Sequence, residues 1–190
     1  MSSVLTKAGL SLAGMGGTGL GGYAIYTYSQ GDSRTIKEVL IAEKYTLASS
    51  QEAWDKVAKT YALEVTPELK IGEATVNANA IKQWCEEKLK STDKKSFLER
   101  TKKWCVTYSS IRDQLTKDNL TLETEESTLK PKYAQLDSSI KSEVDSFTGE
   151  ASKDPEGSKL KQWCESRSYR TYIAGDFYNT FKEKCTKSAG

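Results

Sequence analysis

The sequence has no histidine, only 3 prolines and 2 methionines, and just 4 cysteines in 190 residues. Without histidine there can be no Ser-His-Asp triad, no Cys-His dyad and no imidazole-ligated metal. Charge of one sign is also lacking. The 28 basic and 26 acidic side chains leave a net +2, which gives no global pull toward nucleic acid or anionic lipid. Hydrophobic residues make up 37% of the chain, a low share for a globular protein. No convincing run of strict apolar–polar alternation appears, which argues against a mainly β fold. These absences leave no recognisable reaction, and the expectation is a non-enzyme with no catalytic residue, cofactor or metal.

The first thirty residues are a separate object. From Ala8 to Ser29 there are 22 residues without a charge, and seven of the 13 glycines fall between Gly9 and Gly22. About 20 helical residues cross a bilayer core of ~30 Å, so the run is long enough to span. Tyr23, Tyr26 and Tyr28 sit at its C-terminal end, where amphipathic rings suit the membrane interface. Lys7 precedes it and places the N-terminus on the cytoplasmic side by the positive-inside rule. The expectation is a signal-anchor over residues 1–30, a single-pass membrane location and an extracellular domain over residues 31–190. A cleaved signal peptide is the competing reading, opposed by the length of the run and the lack of an A-x-A site before Gln30. Gly9, Ala13, Gly17 and Gly21 recur every four residues, which would let two membrane helices approach closely and self-associate. Gly14-Met15-Gly16-Gly17-Thr18-Gly19 matches G-x-G-x-x-G, but no strand precedes it and no βαβ pattern follows, which argues against dinucleotide or phosphate binding there.

The remainder carries 27 basic and 26 acidic residues and reads as helices punctuated by polar turns. Apolar spacing predicts helices over 33–44, 51–63, 77–90, 94–115, 132–147, 159–170 and 177–187. The fourth has the clearest spacing: Phe97, Leu98, Thr101, Trp104, Cys105, Tyr108 and Ile111. Residues 116–131 read as a connecting loop and 149–157 as a linker, with Gly175 the corner before the last helix. Asn119-Leu120-Thr121 is a formal glycosylation sequon, meaningful only in a glycosylating host.

An internal repeat carries the cysteines. Lys82-Gln83-Trp84-Cys85-Glu86 recurs as Lys161-Gln162-Trp163-Cys164-Glu165, and Phe97 and Cys105 recur as Phe177 and Cys185. The repeat spans about 81–105 and 160–185, and two related helical hairpins are its natural form. The expected fold class is therefore all-α: an N-terminal transmembrane helix plus a helical bundle built from those hairpins. In antiparallel helices, residues equidistant from the turn face each other. Cys85 and Cys105 are nearly symmetric about Lys95, and Cys164 and Cys185 about Gly175, so disulfides 85–105 and 164–185 are expected. A Cys₄ zinc site lacks close C-x-x-C pairs, and a catalytic thiol lacks a histidine partner. Buried reduced thiols are the remaining alternative.

Trp54, Trp84, Trp104 and Trp163 each fall on an apolar stripe and read as core anchors rather than a carbohydrate platform. Glu123, Glu125 and Glu126 read as solvated surface rather than a carboxylate pair. Lys94, Lys95, Lys102 and Lys103 read as a solvated basic face, offset by Glu86, Glu87 and Glu99.

Taken together, Lys7, the stretch from Gly14 to Gly22, Trp54, Trp84-Cys85, Trp104-Cys105 and Trp163-Cys164 resemble the uncharacterised paralogous membrane-anchored proteins of haemotropic mycoplasmas. The resemblance covers the whole chain and implies a surface location on a wall-less parasite of red cells and antigenic diversity by paralogue number. It carries over no functional residue. The expected role is host interaction or a diversified antigen, with the membrane and a host protein as partners and no nucleic acid. An extracytoplasmic enzyme or ligand-binding module, and a structural partner of another membrane protein, are the alternatives.

Overall fold

The computed structural model describes residues 33–72, 75–148 and 153–187. Among them it holds helices and no strand, and no helix is long and apolar enough to cross a membrane. The expected anchor, with Gly9, Ala13, Gly17 and Gly21, lies outside the described residues.

Capping chemistry sets most helix starts. Thr35 opens α1 (Ile36–Ala42) with a reciprocal box to Glu38, burying Ile36, Val39 and Leu40. Ser50 caps α2 (Gln51–Glu64), which buries Trp54, Val57, Thr60 and Tyr61 along one face. After a 3₁₀ turn at Pro67–Leu69, Asn77 caps α3 (Ala78–Lys88) and Asp93 caps α4 (Lys94–Trp104). Ser110 and Asp113 form a second reciprocal box on α5 (Ile111–Lys117). Then follow α6 (Glu126–Ala134), α7 (Ser138–Asp145) capped by Asp137, α8 (Pro155–Arg167) and α9 (Asp176–Cys185).

Three expectations need correction. The long helix expected over 94–115 is two helices. The chain leaves α4 at Cys105, and Val106 runs antiparallel to Leu47, with the Ala48 N–H donating to the Cys105 carbonyl at 3.0 Å and the Thr107 N–H to the Thr46 carbonyl at 2.7 Å. Ser110 then caps a new helix. The continuous apolar spacing is shared by three clusters: Leu98 packs into one, Trp104 and Cys105 into a second, and Ile111 into a third. The loop expected over 116–131 contains the start of α6, whose Leu129 is fully buried. The helix expected over 132–147 is interrupted, because the Asp137 carboxylate accepts from the Ser139 and Ile140 N–H groups and starts α7 afresh.

The chain folds as two copies of one four-part unit. Thr35, Ile36, Glu38, Leu40 and Leu47 stand 75 positions before Ser110, Ile111, Asp113, Leu115 and Leu122. The geometry repeats with them. Lys44 and Asn119 both adopt positive φ, 65° and 56°, after α1 and α5. The Tyr45 N–H reaches the Leu40 carbonyl at 2.9 Å and the Leu120 N–H the Leu115 carbonyl at 2.8 Å, so both helices end in a Schellman closure. The Ile36 N–H donates to the Ser91 carbonyl as the Ile111 N–H does to the Arg170 carbonyl, both at 2.9 Å. Leu47 bridges Val106 as Leu122 bridges Thr186. Each copy therefore comprises a short capped helix, an extended link, a helical arm (α2, or α6 with α7) and a hairpin (α3–α4, or α8–α9).

Each hairpin is closed by a disulfide. Cys85 joins Cys105 with Cα atoms 5.6 Å apart, and Cys164 joins Cys185 at 5.5 Å. All four cysteines are buried. Around them, one apolar cluster takes Trp54, Tyr61, Ile81 and Trp104, and a smaller one takes Ile36, Leu40, Leu98 and Val106. The second copy has its own cluster of Ile111, Leu129, Leu160, Trp163 and Phe181 among others. Gly157 is where α8 crosses α6 closely: a Cβ there would fall 2.8 Å from the Glu126 carbonyl carbon and closer still to its oxygen.

Candidate functional site at the seam between the repeats

Where the two copies meet, one stripe of α2 supplies Lys56, Lys59, Thr60, Leu63 and Glu64, residues spaced at helical intervals so that they share a face. The second copy offers the turn after α8 and the start of α5. Glu64 is the centre. Its carboxylate accepts from Lys103 Nζ at 2.5 Å, from the Thr171 N–H at 2.7 Å and from the Thr171 hydroxyl at 2.9 Å. Lys103 also donates to the Thr171 hydroxyl oxygen at 3.2 Å. The pair is mostly withdrawn from solvent, at 15% and 14% side-chain exposure, so its charge-assisted bonds are less screened than those of an open surface pair.

A second cluster lies nearby on the same stripe. Lys56 Nζ pairs with Asp113 and donates to the Tyr108 carbonyl at 2.7 Å. Burial pushes the Asp113 carboxyl up, but Lys56 and the N–H and hydroxyl of Ser110 outweigh it and hold Asp113 below the ordinary carboxylate value. Burial raises the Tyr108 phenol, whose buried hydroxyl has no hydrogen-bond partner among the described residues, and the negative charges of Glu64 and Asp113 add to the shift. The Thr60 hydroxyl donates to the Tyr169 carbonyl at 2.5 Å, and Lys59 lies 4.1 Å from the centre of the Tyr169 ring.

Beside these contacts opens a groove of about 520 Å³. Leu63, Ile173 and Phe177 form its apolar wall, with Glu64, Arg170 and Asp176 at its edge. Ile173 is 52% exposed, and Arg170 lies 4.5 Å from the Phe177 ring centre. The seam carboxylates already accept hydrogen bonds, so the arrangement is suited to holding two bodies together rather than to proton transfer. A smaller groove of about 420 Å³ runs along α8 between Glu123, Glu126, Lys161 and Glu165. Among the described residues no group of three or more Cys, Asp and Glu side chains could hold a metal ion.

The residues singled out in the sequence are dispersed by this geometry. Trp54, Trp104 and Trp163 are buried and Trp84 is half-buried against Phe97. Trp163 Nε1 donates to Glu143 at 3.1 Å. Glu123 is not solvated: it is 7% exposed and accepts from the Thr124 and Glu125 N–H groups. The basic face on α4 is not uniformly solvated either. Lys103 is committed to the seam, Lys102 pairs with Glu43 at 2.8 Å, and Lys94 is 7% exposed. Sequence reasoning missed the seam itself. Its signal is the polar spacing of Lys56, Thr60 and Glu64 on a helix whose other face is apolar, which alone looks like an ordinary solvated stripe. No protein-family model, curated protein or solved structure matches the chain.

Proposed function

We propose that the chain is a membrane-anchored, non-catalytic surface protein. Residues 1–30 hold it in the cell membrane as a single-pass signal-anchor with a cytoplasmic N-terminus. Residues 31–190 form an outward-facing, twice-repeated helical domain for host interaction or for presentation as a diversified antigen, in keeping with the resemblance to haemotropic mycoplasma surface proteins. The observation that carries this reading is the pair of buried disulfides, one in each copy. Such bonds persist on the oxidising side of a membrane and are rare in a reducing cytosol. The small residues Gly9, Ala13, Gly17 and Gly21 would let the anchors of two chains associate.

A second reading is an outward-facing ligand-binding module. The groove at the seam favours it, because an apolar wall rimmed by a few charged groups is the usual form of a small-ligand site.

Protease added to intact cells that make the full chain tests the location. The reading expects loss of residues 31–190 with only the leader protected. In parallel, the protein is denatured without reductant and alkylated, and no cysteine should be labelled. Protection of the whole chain, or labelling of all four cysteines, overturns the proposal.

A further inference from the structure

Every apolar cluster among the described residues is confined to one copy. Two hold residues between Ile36 and Tyr108, and the third holds residues between Ile111 and Cys185. The ring–ring contacts divide the same way. What crosses the seam is polar: the ion pair of Lys56 with Asp113, the grip of Glu64 on Thr171, and the contacts of Lys59 and Thr60 with Tyr169. Each copy, by contrast, is closed on itself by a core and a disulfide. The covalent link is short. Thr107 is still bonded into the first copy through Thr46, and the Ser109 carbonyl already accepts from Tyr172 of the second.

We propose that the seam is a hinge, with Tyr108 as the joint, and that it opens as a unit while both copies remain folded. Opening exposes little apolar surface, so it lacks the term that dominates the cost of unfolding a core. It breaks one ion pair, Lys56 with Asp113, whose side chains are 25% and 41% exposed and so open to screening by salt, and the charge-assisted hydrogen bonds from Thr171 to Glu64, whose groups regain water; the Lys103–Glu64 pair lies within the first copy and stays. Local openings of this kind lie well below global unfolding in free energy. Opening also widens the groove between Leu63 and Ile173, so that its width depends on the angle between the copies.

One amide reports the motion by itself. The Thr171 N–H donates across the seam to Glu64, whereas the Leu89 N–H donates to the Cys85 carbonyl and the Ser168 N–H to the Cys164 carbonyl inside the two copies. Native-state hydrogen exchange on the full, oxidised chain should find the Thr171 amide exchanging at least about tenfold faster than either control. Raising the salt from about 0.05 to about 0.5 M should accelerate Thr171 and leave Leu89 and Ser168 unchanged. The variant Glu64→Gln keeps an acceptor in place but removes its charge, and should act in the same direction as salt. If all three amides exchange at one rate, or all accelerate together, the two copies are one rigid body and the hinge is refuted. The salt series on the unaltered chain separates these outcomes even where the variant does not fold.

Discussion

Replacing Gly157 by Ala is the sharpest test of how the second copy packs. Gly157 lies in the first turn of α8, buried against the backbone of α6. A methyl group there meets the Glu126 carbonyl, with the carbonyl carbon at 2.8 Å and the Glu126 Cα at 3.1 Å. Ordinary contact begins near 3.4 Å. The obstacle is backbone, so no rotamer change relieves it, and α6 and α8 must separate along their length. Overpacking of this kind costs roughly 1–3 kcal/mol or more. Against it stands the better helix propensity of Ala, at most about 1 kcal/mol. With backbone atoms in the way the overpacking cost lies at the upper end of that range, so the net expectation is a loss of about 2 kcal/mol, or roughly 4–8 °C in Tm for a chain of this length. Two other glycines calibrate the result. Gly72 has nothing within 4 Å and ordinary φ, so Gly72→Ala should be neutral or stabilise by up to about 1 kcal/mol. Gly175 has equally open surroundings but a φ of 149°, so Gly175→Ala should destabilise through the backbone alone. Thermal unfolding by circular dichroism ranks the three. A Gly157→Ala protein as stable as the parent would mean that α6 and α8 do not cross as described.

The remaining expectations concern the staples, the charges and the core. Each disulfide closes a loop of about 20 residues, so replacing Cys85 and Cys105 together by Ala should cost roughly 3 kcal/mol in a urea titration under oxidising conditions, and an unchanged midpoint would refute the staple. Asp113 and Glu143 have folded-state pKa values below the ordinary ones. For Glu143, burial opposes the shift, but Trp163 and Arg167 outweigh it. The unfolded state therefore binds protons first on acidification. The stability these groups add is complete above the unfolded carboxylate range near pH 4 and is lost as pH falls through the lower folded values. Asp113→Asn should accordingly flatten the acid limb of a stability–pH profile and leave the neutral-to-alkaline limb parallel to that of the parent; an unaltered acid limb would count against the Lys56–Asp113 pair. Phe181 is fully buried against Trp163, with ring centres 5.9 Å apart, so Phe181→Ala should destabilise by about 3–5 kcal/mol and remove order around Trp163, read by near-ultraviolet circular dichroism.

Half of the duplication is legible in the sequence, and the reason lies in one change of register. Trp84-Cys85 and Trp163-Cys164 are 79 positions apart, and that offset carries through the hairpins with one further residue. Followed upstream, it finds nothing, because Ile36 and Ile111, Leu40 and Leu115, and Leu47 and Leu122 are 75 apart. The added residues fall in the arm. There the first copy has one helix, α2, and the second has α6, a break at Asp137 and α7. A periodic sequence cannot announce such a break when the apolar stripe of Tyr133, Leu136, Ile140, Val144 and Phe147 continues across it. The same blindness produces the over-long helix at 94–115, since helical spacing records which residues are buried but not that they are buried in different cores. Cap residues are a partial guide: Ser50 and Asp93 stand where their helices begin, but Thr35 rather than Ser33 caps α1, and Asp176 is already the first residue of α9 rather than its cap.

The core explains why the copies look less alike than their backbones. At the position of Trp104 in the first hairpin the second has Lys184, and at the position of Thr101 it has Phe181. Both Trp104 and Phe181 are fully buried, and Thr101 is too, while Lys184 keeps 8% exposure. The bulk has moved one helical turn along the same face. In the first copy Trp104 fills the space beside Tyr61 and anchors its Nε1 on the Leu69 carbonyl at 2.8 Å. In the second, Phe181 stacks with Trp163, whose own Nε1 reaches Glu143 on α7. Total volume is kept while the residue that supplies it changes, which is the kind of substitution a close-packed core tolerates. The disulfides cannot migrate in this way, because their Cα separation fixes both partners. The cysteines therefore stayed in register and visible, while the apolar residues around them drifted.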